Sequence, residues 1–241
     1  MTKESLLITG GCSNSADIQF GGGFVKDYIK NNILIWPKIV AEKLNMKLLN
    51  VAMGAASNDY IENAIYDAII ENQDKYDCTI MIFWTSAHRI NLFDQNTIWD
   101  YSNHLSDDSH KLFKKHINAK KVINKSFRNM KRTKFICDYY KIPLVQRISL
   151  GLLFEPQWDG IKNWVKHHPD IKELNMSWPE VYAGRWSSKY YNKSDIETEG
   201  LHPNQNGQKL IAQMFIDSLN GKELEILYDG RIHDGGGYIY D

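Results

Sequence analysis

Four short apolar runs, Leu6 to Thr9, Leu48 to Ala52, Thr79 to Trp84 and Pro143 to Ile148, each give way to small or polar residues. They are mostly apolar instead of regularly alternating, the pattern of strands buried on both faces, which belongs to parallel sheets. Parallel neighbours need a crossover between them, and the intervening sequence supplies helical patterns. Pro37 suits a first helical turn, with Ile39, Val40 and Leu44 at helix spacing as far as Asn45. Ser57 or Asn58 can cap a second helix with Ile61, Ala64, Ile65, Ala68 and Ile69 on one face. A third helical region, about 106 to 140, carries Phe113, Ile117, Ile123, Phe127 and Met130, and a last amphipathic helix covers Gln208 to Leu219. Strand and helix alternating in this order predict a three-layer α/β/α sandwich around a mainly parallel sheet with right-handed crossovers.

The chain has 241 residues, suited to one α/β domain. We read 1–228 as that domain, with an irregular tryptophan- and tyrosine-rich insertion at about 151–195, and 229–241 as a C-terminal extension. The 29 basic and 29 acidic residues balance, which argues against nucleic acid as a partner. Ten of the 24 residues from Lys111 to Lys134 are Lys or Arg, and in a neutral chain they read as a solvated helix face. No apolar stretch approaches the roughly 20 residues of a membrane span, so no membrane partner is expected. Leu6-Leu7-Ile8 is too short for a signal-peptide core. Cys12, Cys78 and Cys137 form neither a disulfide framework nor a zinc pattern. His167 and His168 lack the spacing of a metal site. The expectation is a cytoplasmic protein with no metal and no cofactor.

Sites in open parallel sheets lie beyond the carboxyl ends of the strands. The first strand runs into Thr9-Gly10-Gly11-Cys12-Ser13-Asn14-Ser15. A serine on such a turn can be presented as a nucleophile, or the segment can be only a turn or helix cap. Near the other end stands Glu199-Gly200-Leu201-His202-Pro203-Asn204. A carboxylate three residues before a histidine can orient the imidazole as a general base. Cys12, next to Ser13, should point the other way, into the sheet packing.

These segments resemble the SGNH or GDSL-like hydrolases, in their divergent branch often carried by tailed phages. Gly11-Cys12-Ser13 is similar to the family's first-block Gly-Asp-Ser, and Glu199 to His202 to its final Asp-x-x-His. Asn50 to Asp59 resembles the second block, whose glycine aligns with Ala55 or, shifted by one, with Gly54. In the third block the family's asparagine falls at Ser86, in Trp84-Thr85-Ser86-Ala87-His88-Arg89. A side-chain amide donor is thereby lost, and one oxyanion donor is worth about 2.7–4 kcal/mol in other enzymes.

The resemblance implies a flavodoxin-like sheet and an esterase or deacylase with a Ser13, His202, Glu199 triad. Backbone N–H groups of Ser13 and of Gly54 or Ala55, with Ser86 nearby, would receive the oxyanion. Arg89 and Arg185 either line the mouth or form structural ion pairs. The implied substrate is a small ester, with an O-acetylated carbohydrate as one candidate. The alternative is a binding or structural module on the same fold, as a homo-oligomer or within a virion.

Overall fold

The computed structural model describes residues 3–16, 33–54, 56–85, 90–91, 98–99, 119–148 and 203–222. Its main sheet consists of β1 (Ser5–Gly11), β2 (Lys47–Asn50), β3 (Asp77–Trp84) and β6 (Leu144–Ile148). They are all parallel, in the order β2-β1-β3-β6. Two short strands after β3, β4 (Ile90–Asn91) and β5 (Ile98–Trp99), pair as an antiparallel ribbon. The described helices are α1 (Trp36–Leu44), α2 (Asn58–Asn72), α3 (Ala119–Tyr140) and α4 (Gln205–Leu219). This is the expected α/β fold with a parallel sheet flanked by helices. The third helix is described from Ala119, and the last begins one turn earlier than its apolar pattern suggests. The expected insertion at 151–195 and the extension at 229–241 lie outside the described residues.

Alternation along the strands sorts the core into two faces. Leu6 and Ile8 of β1 and Cys78, Ile80, Ile82 and Trp84 of β3 pack against Ile61, Ile65 and Ile69 of α2 and Phe127, Met130 and Cys137 of α3. Leu7, Met81, Phe83 and Val145 face the other way, onto Trp36, Ile39 and Val40 of α1 and Ile211, Phe215 and Ile216 of α4. On that side Trp36 stacks on Phe215 with centroids 4.3 Å apart and planes 9° apart. Phe83 meets both rings edge-on, at 6.3 and 5.8 Å.

Local chemistry sets the helix ends. The Ser57 hydroxyl caps α2 by accepting from the Tyr60 N–H at 3.2 Å. Asn45, Lys141 and Gly221 close α1, α3 and α4 in the left-handed region, at φ 51°, 57° and 73°. In each case the following N–H reaches back to a carbonyl in the last turn: Met46 to Ala41, Ile142 to Cys137, Lys222 to Asp217. α1 and α3 are thereby turned straight back into β2 and β6.

α3 spends much of its charge on its neighbours. Lys125 pairs with Asp59 of α2, Arg132 grips both oxygens of Glu62, and Lys134 pairs with Asp138 one turn on. Among the described residues, no helix is long and apolar enough to cross a membrane.

Because β1 sits in mid-sheet with its sequence neighbour β2 on one side and β3 on the other, the winding direction reverses there. A crevice opens at such a switch point, beyond the carboxyl ends of β1 and β3. The core beneath it is dense, with Ile80 fully buried. Ile80→Ala is expected to lower unfolding free energy by about 2–5 kcal/mol, as read from urea-denaturation midpoints at unchanged m-value.

Candidate active site

The turn after β1 leaves no space for side chains at its start. A Cβ on Gly11 would stand 2.3 Å from the Ser15 hydroxyl oxygen and 3.1 Å from the Phe83 carbonyl. Glycine therefore permits β1 to run close along β3 and then bend sharply. Both Ser15 N–H and Ala16 N–H donate to the Cys12 carbonyl, at 2.8 and 3.0 Å. Within 12–16, Cys12, Asn14, Ser15 and Ala16 are buried, while Ser13 is half-buried. The serine proposed as nucleophile is thus the member of the turn that reaches the surface. Cys12 packs with the α2/α3 face of the core, as expected.

Three side chains from distant parts of the chain hold this turn. Asn50, ending β2, accepts from the Thr9 hydroxyl at 3.0 Å and the Ala52 N–H at 3.2 Å, and donates to the Ser15 carbonyl at 2.8 Å. Trp36 Nε1 donates to the Ser15 hydroxyl at 2.9 Å. Gln208 of α4 accepts from the Trp36 N–H at 2.8 Å and donates to the Asn14 carbonyl at 3.3 Å. One helical turn away, Gln205 accepts from the Leu34 N–H and donates to the Leu34 carbonyl. The entrance to α4 is therefore docked beside the turn, with Asn204 capping it through Asn206 N–H and Gly207 N–H. His202 precedes this cap by two residues in the sequence.

The second block follows the same edge. Val51 N–H donates to Thr9 carbonyl at 2.9 Å and Met53 N–H to Gly11 carbonyl at 3.2 Å, which lays 51–54, with half-buried Gly54, alongside the end of β1.

At the end of β3 the buried Asn58 carboxamide accepts from Thr85 N–H at 3.0 Å and donates to Thr85 carbonyl at 3.1 Å and Ser126 hydroxyl at 3.0 Å. One side chain thus joins β3, α2 and α3. The Thr85 hydroxyl is itself buried with no hydrogen-bond partner. By register Gly11 lies opposite Phe83, so Thr85, just past the end of β3, is about level with Ser13.

The structure thus brings Ser13, Gly54 and the chain leading into α4 to one edge of the sheet. His202, Glu199, Ala55, Ser86 and Arg89 lie outside the described residues, as do His167, His168 and Arg185. Among the described residues no cluster of three or more His, Cys, Asp or Glu side chains could hold a metal ion. Sequence reading missed the tethering amides Asn50, Asn58 and Gln208. The available signal was their position, each at a strand end or in a first helical turn. Nothing in an isolated amide specifies which distant backbone it will bind.

No protein-family model matches the chain, and neither does any curated protein. Among solved structures, a variant of an acetyl xylan esterase from Geobacillus stearothermophilus superposes with a TM-score of 0.50 at 13% identity, over 93% of this chain and 98% of that one. The esterase EstA from Pseudoalteromonas sp. gives 0.49 at 14% identity, over 90% and 97%. A protein of the lipolytic G-D-S-L family from Desulfitobacterium hafniense gives 0.45 at 13%, over 89% and 98%. At these identities the first likeness establishes a shared fold.

Two variants at the β3 end should move stability in opposite directions. Asn58→Ala leaves two backbone groups and a hydroxyl unpaired in the interior and should cost about 2–4 kcal/mol; Thr85→Val removes a buried unpaired hydroxyl and should add about 1 kcal/mol. Both are read by chemical denaturation. The cysteines give a separate test, because all three are buried and burial pushes the Cys137 thiol up from its ordinary value near 9 to about 12. Native protein at pH 8 should resist a thiol reagent that titrates three groups once it is unfolded. Above pH 9 the unfolded chain releases the Cys137 proton that the folded one retains, so this contribution to stability falls between pH 9 and 12.

Proposed function

We propose that the chain is a carboxylic-ester hydrolase of the esterase or deacylase type, with Ser13 as nucleophile, His202 as general base and Glu199 as the group that orients it. The observation that carries the reading is Ser13 itself: it is the accessible residue of an otherwise buried, multiply tethered turn at the switch point of a parallel sheet. Docking of α4 onto the Asn14 carbonyl supports the pairing with His202, since that histidine directly precedes Pro203 at the helix entrance.

In this mechanism Ser13 Oγ attacks the acyl carbonyl as His202 takes its proton. The tetrahedral oxyanion is received by backbone N–H groups of Ser13 and of Gly54 or Ala55, with Ser86 alongside and Arg89 at the mouth. Collapse expels the alcohol, which takes the proton from His202. Water, deprotonated by the same imidazole, then hydrolyses the acyl-enzyme and regenerates the Ser13 hydroxyl. No cofactor is required. The shared fold of an acetyl xylan esterase makes an O-acetylated carbohydrate the first natural ester to try.

The second reading, a binding or structural module such as a virion component, is favoured by Ser86 standing where the family has its amide donor. A fluorophosphonate probe should label wild type at Ser13 and leave both Ser13→Ala and His202→Ala unlabelled. Ser13→Ala should also lower p-nitrophenyl acetate turnover by at least about a thousandfold. Equal turnover by wild type and Ser13→Ala would remove Ser13 from the mechanism, and a folded wild type that never takes the probe would favour the binding module.

A further inference from the structure

Between the serine-bearing turn and the entrance of α4 stands one side chain that joins them. Gln208 is fully buried, although glutamine is a residue mostly found exposed. Its main-chain N–H closes the first turn of α4 on the carbonyl of the cap residue Asn204, at 2.9 Å. Its carboxamide nitrogen donates to the Asn14 carbonyl at 3.3 Å, and its carboxamide oxygen accepts from the Trp36 N–H at 2.8 Å. One residue therefore holds both the carbonyl beside Ser13 and the carbonyl that caps α4.

The two ends of the carboxamide are not interchangeable. Turned by half a revolution, the amide would set its oxygen against the Asn14 carbonyl and its NH2 against the Trp36 N–H, and both bonds would be lost. Trp36 is held in turn by stacking on Phe215 with planes 9° apart, and its indole N–H donates to the Ser15 hydroxyl at 2.9 Å. Gln208 thus reaches the turn twice, at Asn14 directly and at Ser15 through Trp36. Gln205, one helical turn earlier, docks on the Leu34 main chain instead of on the serine-bearing turn.

We propose that Gln208 is a positioning residue for the reaction at Ser13, fixing the nucleophile's turn against the entrance of α4, the helix whose cap follows His202 in the sequence. The role rests on Ser13 being the nucleophile. Reacting groups supplied by opposite ends of a chain need close registration, because a misplacement of about 1 Å can cost about 100-fold in rate. Side chains locked by their own packing and hydrogen bonds supply that registration.

Phosphonylation of Ser13 by a fluorophosphonate tests this role, since it separates probe binding (KI) from bond formation (kinact). Gln208→Met keeps the length and loses the amide; Gln208→Asn keeps the amide and is one methylene too short to span both partners. Each should lose about 100-fold in kinact with KI close to that of wild type. Gln146→Leu is the matched control, because it unpairs the buried Trp84 indole N–H on the α2/α3 side of the sheet. It should lower the thermal midpoint and leave kinact at the wild-type value. Rates are compared at a temperature where far-UV circular dichroism shows every variant folded. Wild-type kinact in both Gln208 variants overturns the proposal. So does a loss confined to KI, or a loss in Gln146→Leu as large as theirs, which would make rate follow stability alone. Failure of the Ser13 reading looks different: wild type itself then takes no probe, and the positioning role falls with it.

Discussion

The turn from Gly11 to Ala16 has its backbone inside the protein, and the rest of the site edge is arranged around satisfying it. A buried carbonyl or N–H left unpaired costs about 1–3 kcal/mol. Here the Cys12 carbonyl is met by Ser15 N–H and Ala16 N–H, the Asn14 carbonyl by Gln208 and the Ser15 carbonyl by Asn50. Gln208 also receives Trp36 N–H, so one amide ties the first turn of α4 to the first turn of α1 and to the strand end. A single hydrogen bond of this kind contributes only about 0.5–1.5 kcal/mol net. Its structural effect is larger, because it joins segments nearly 200 positions apart and fixes where α4 begins.

A second amide does the same work at the neighbouring strand end. Asn58 satisfies both main-chain groups of Thr85 and reaches Ser126, so the end of β3 and the starts of α2 and α3 share one fastening. The strand below it is held by apolar packing on both faces. Where the hydrophobic sheet stops, directional polar bonds take over, and they do so at the level of the Ser13 turn.

The two long helices divide their roles along their length. Toward the site they are joined by Lys125–Asp59 and Arg132–Glu62. Their C-terminal halves expose Tyr66, Ile70, Phe135 and Tyr139. The basic character of α3, which in sequence reads as a solvated face, is in part a response to α2, through Lys125 and Arg132.

Much of the architecture was legible beforehand. Predominantly apolar runs mark the strands; Pro37, Asn45 and Ser57 mark helix ends through local backbone chemistry, and each acts there in the structure. A glycine pair before Ser13 likewise marks a sharp turn. The long-range polar tethers were not legible, since Asn50, Asn58 and Gln208 have no local signature that distinguishes a buried clamp from a solvated amide. Periodicity and turn chemistry are properties of neighbouring residues, so the sequence by itself determined the strands, the helices, their alternation and the serine-bearing turn. Which strand lies beside which, which amide closes which carbonyl, and that Ser13 alone of its turn reaches the surface were decided by tertiary structure. Those depend on contacts between segments up to 194 residues apart, formed only once the sheet is assembled.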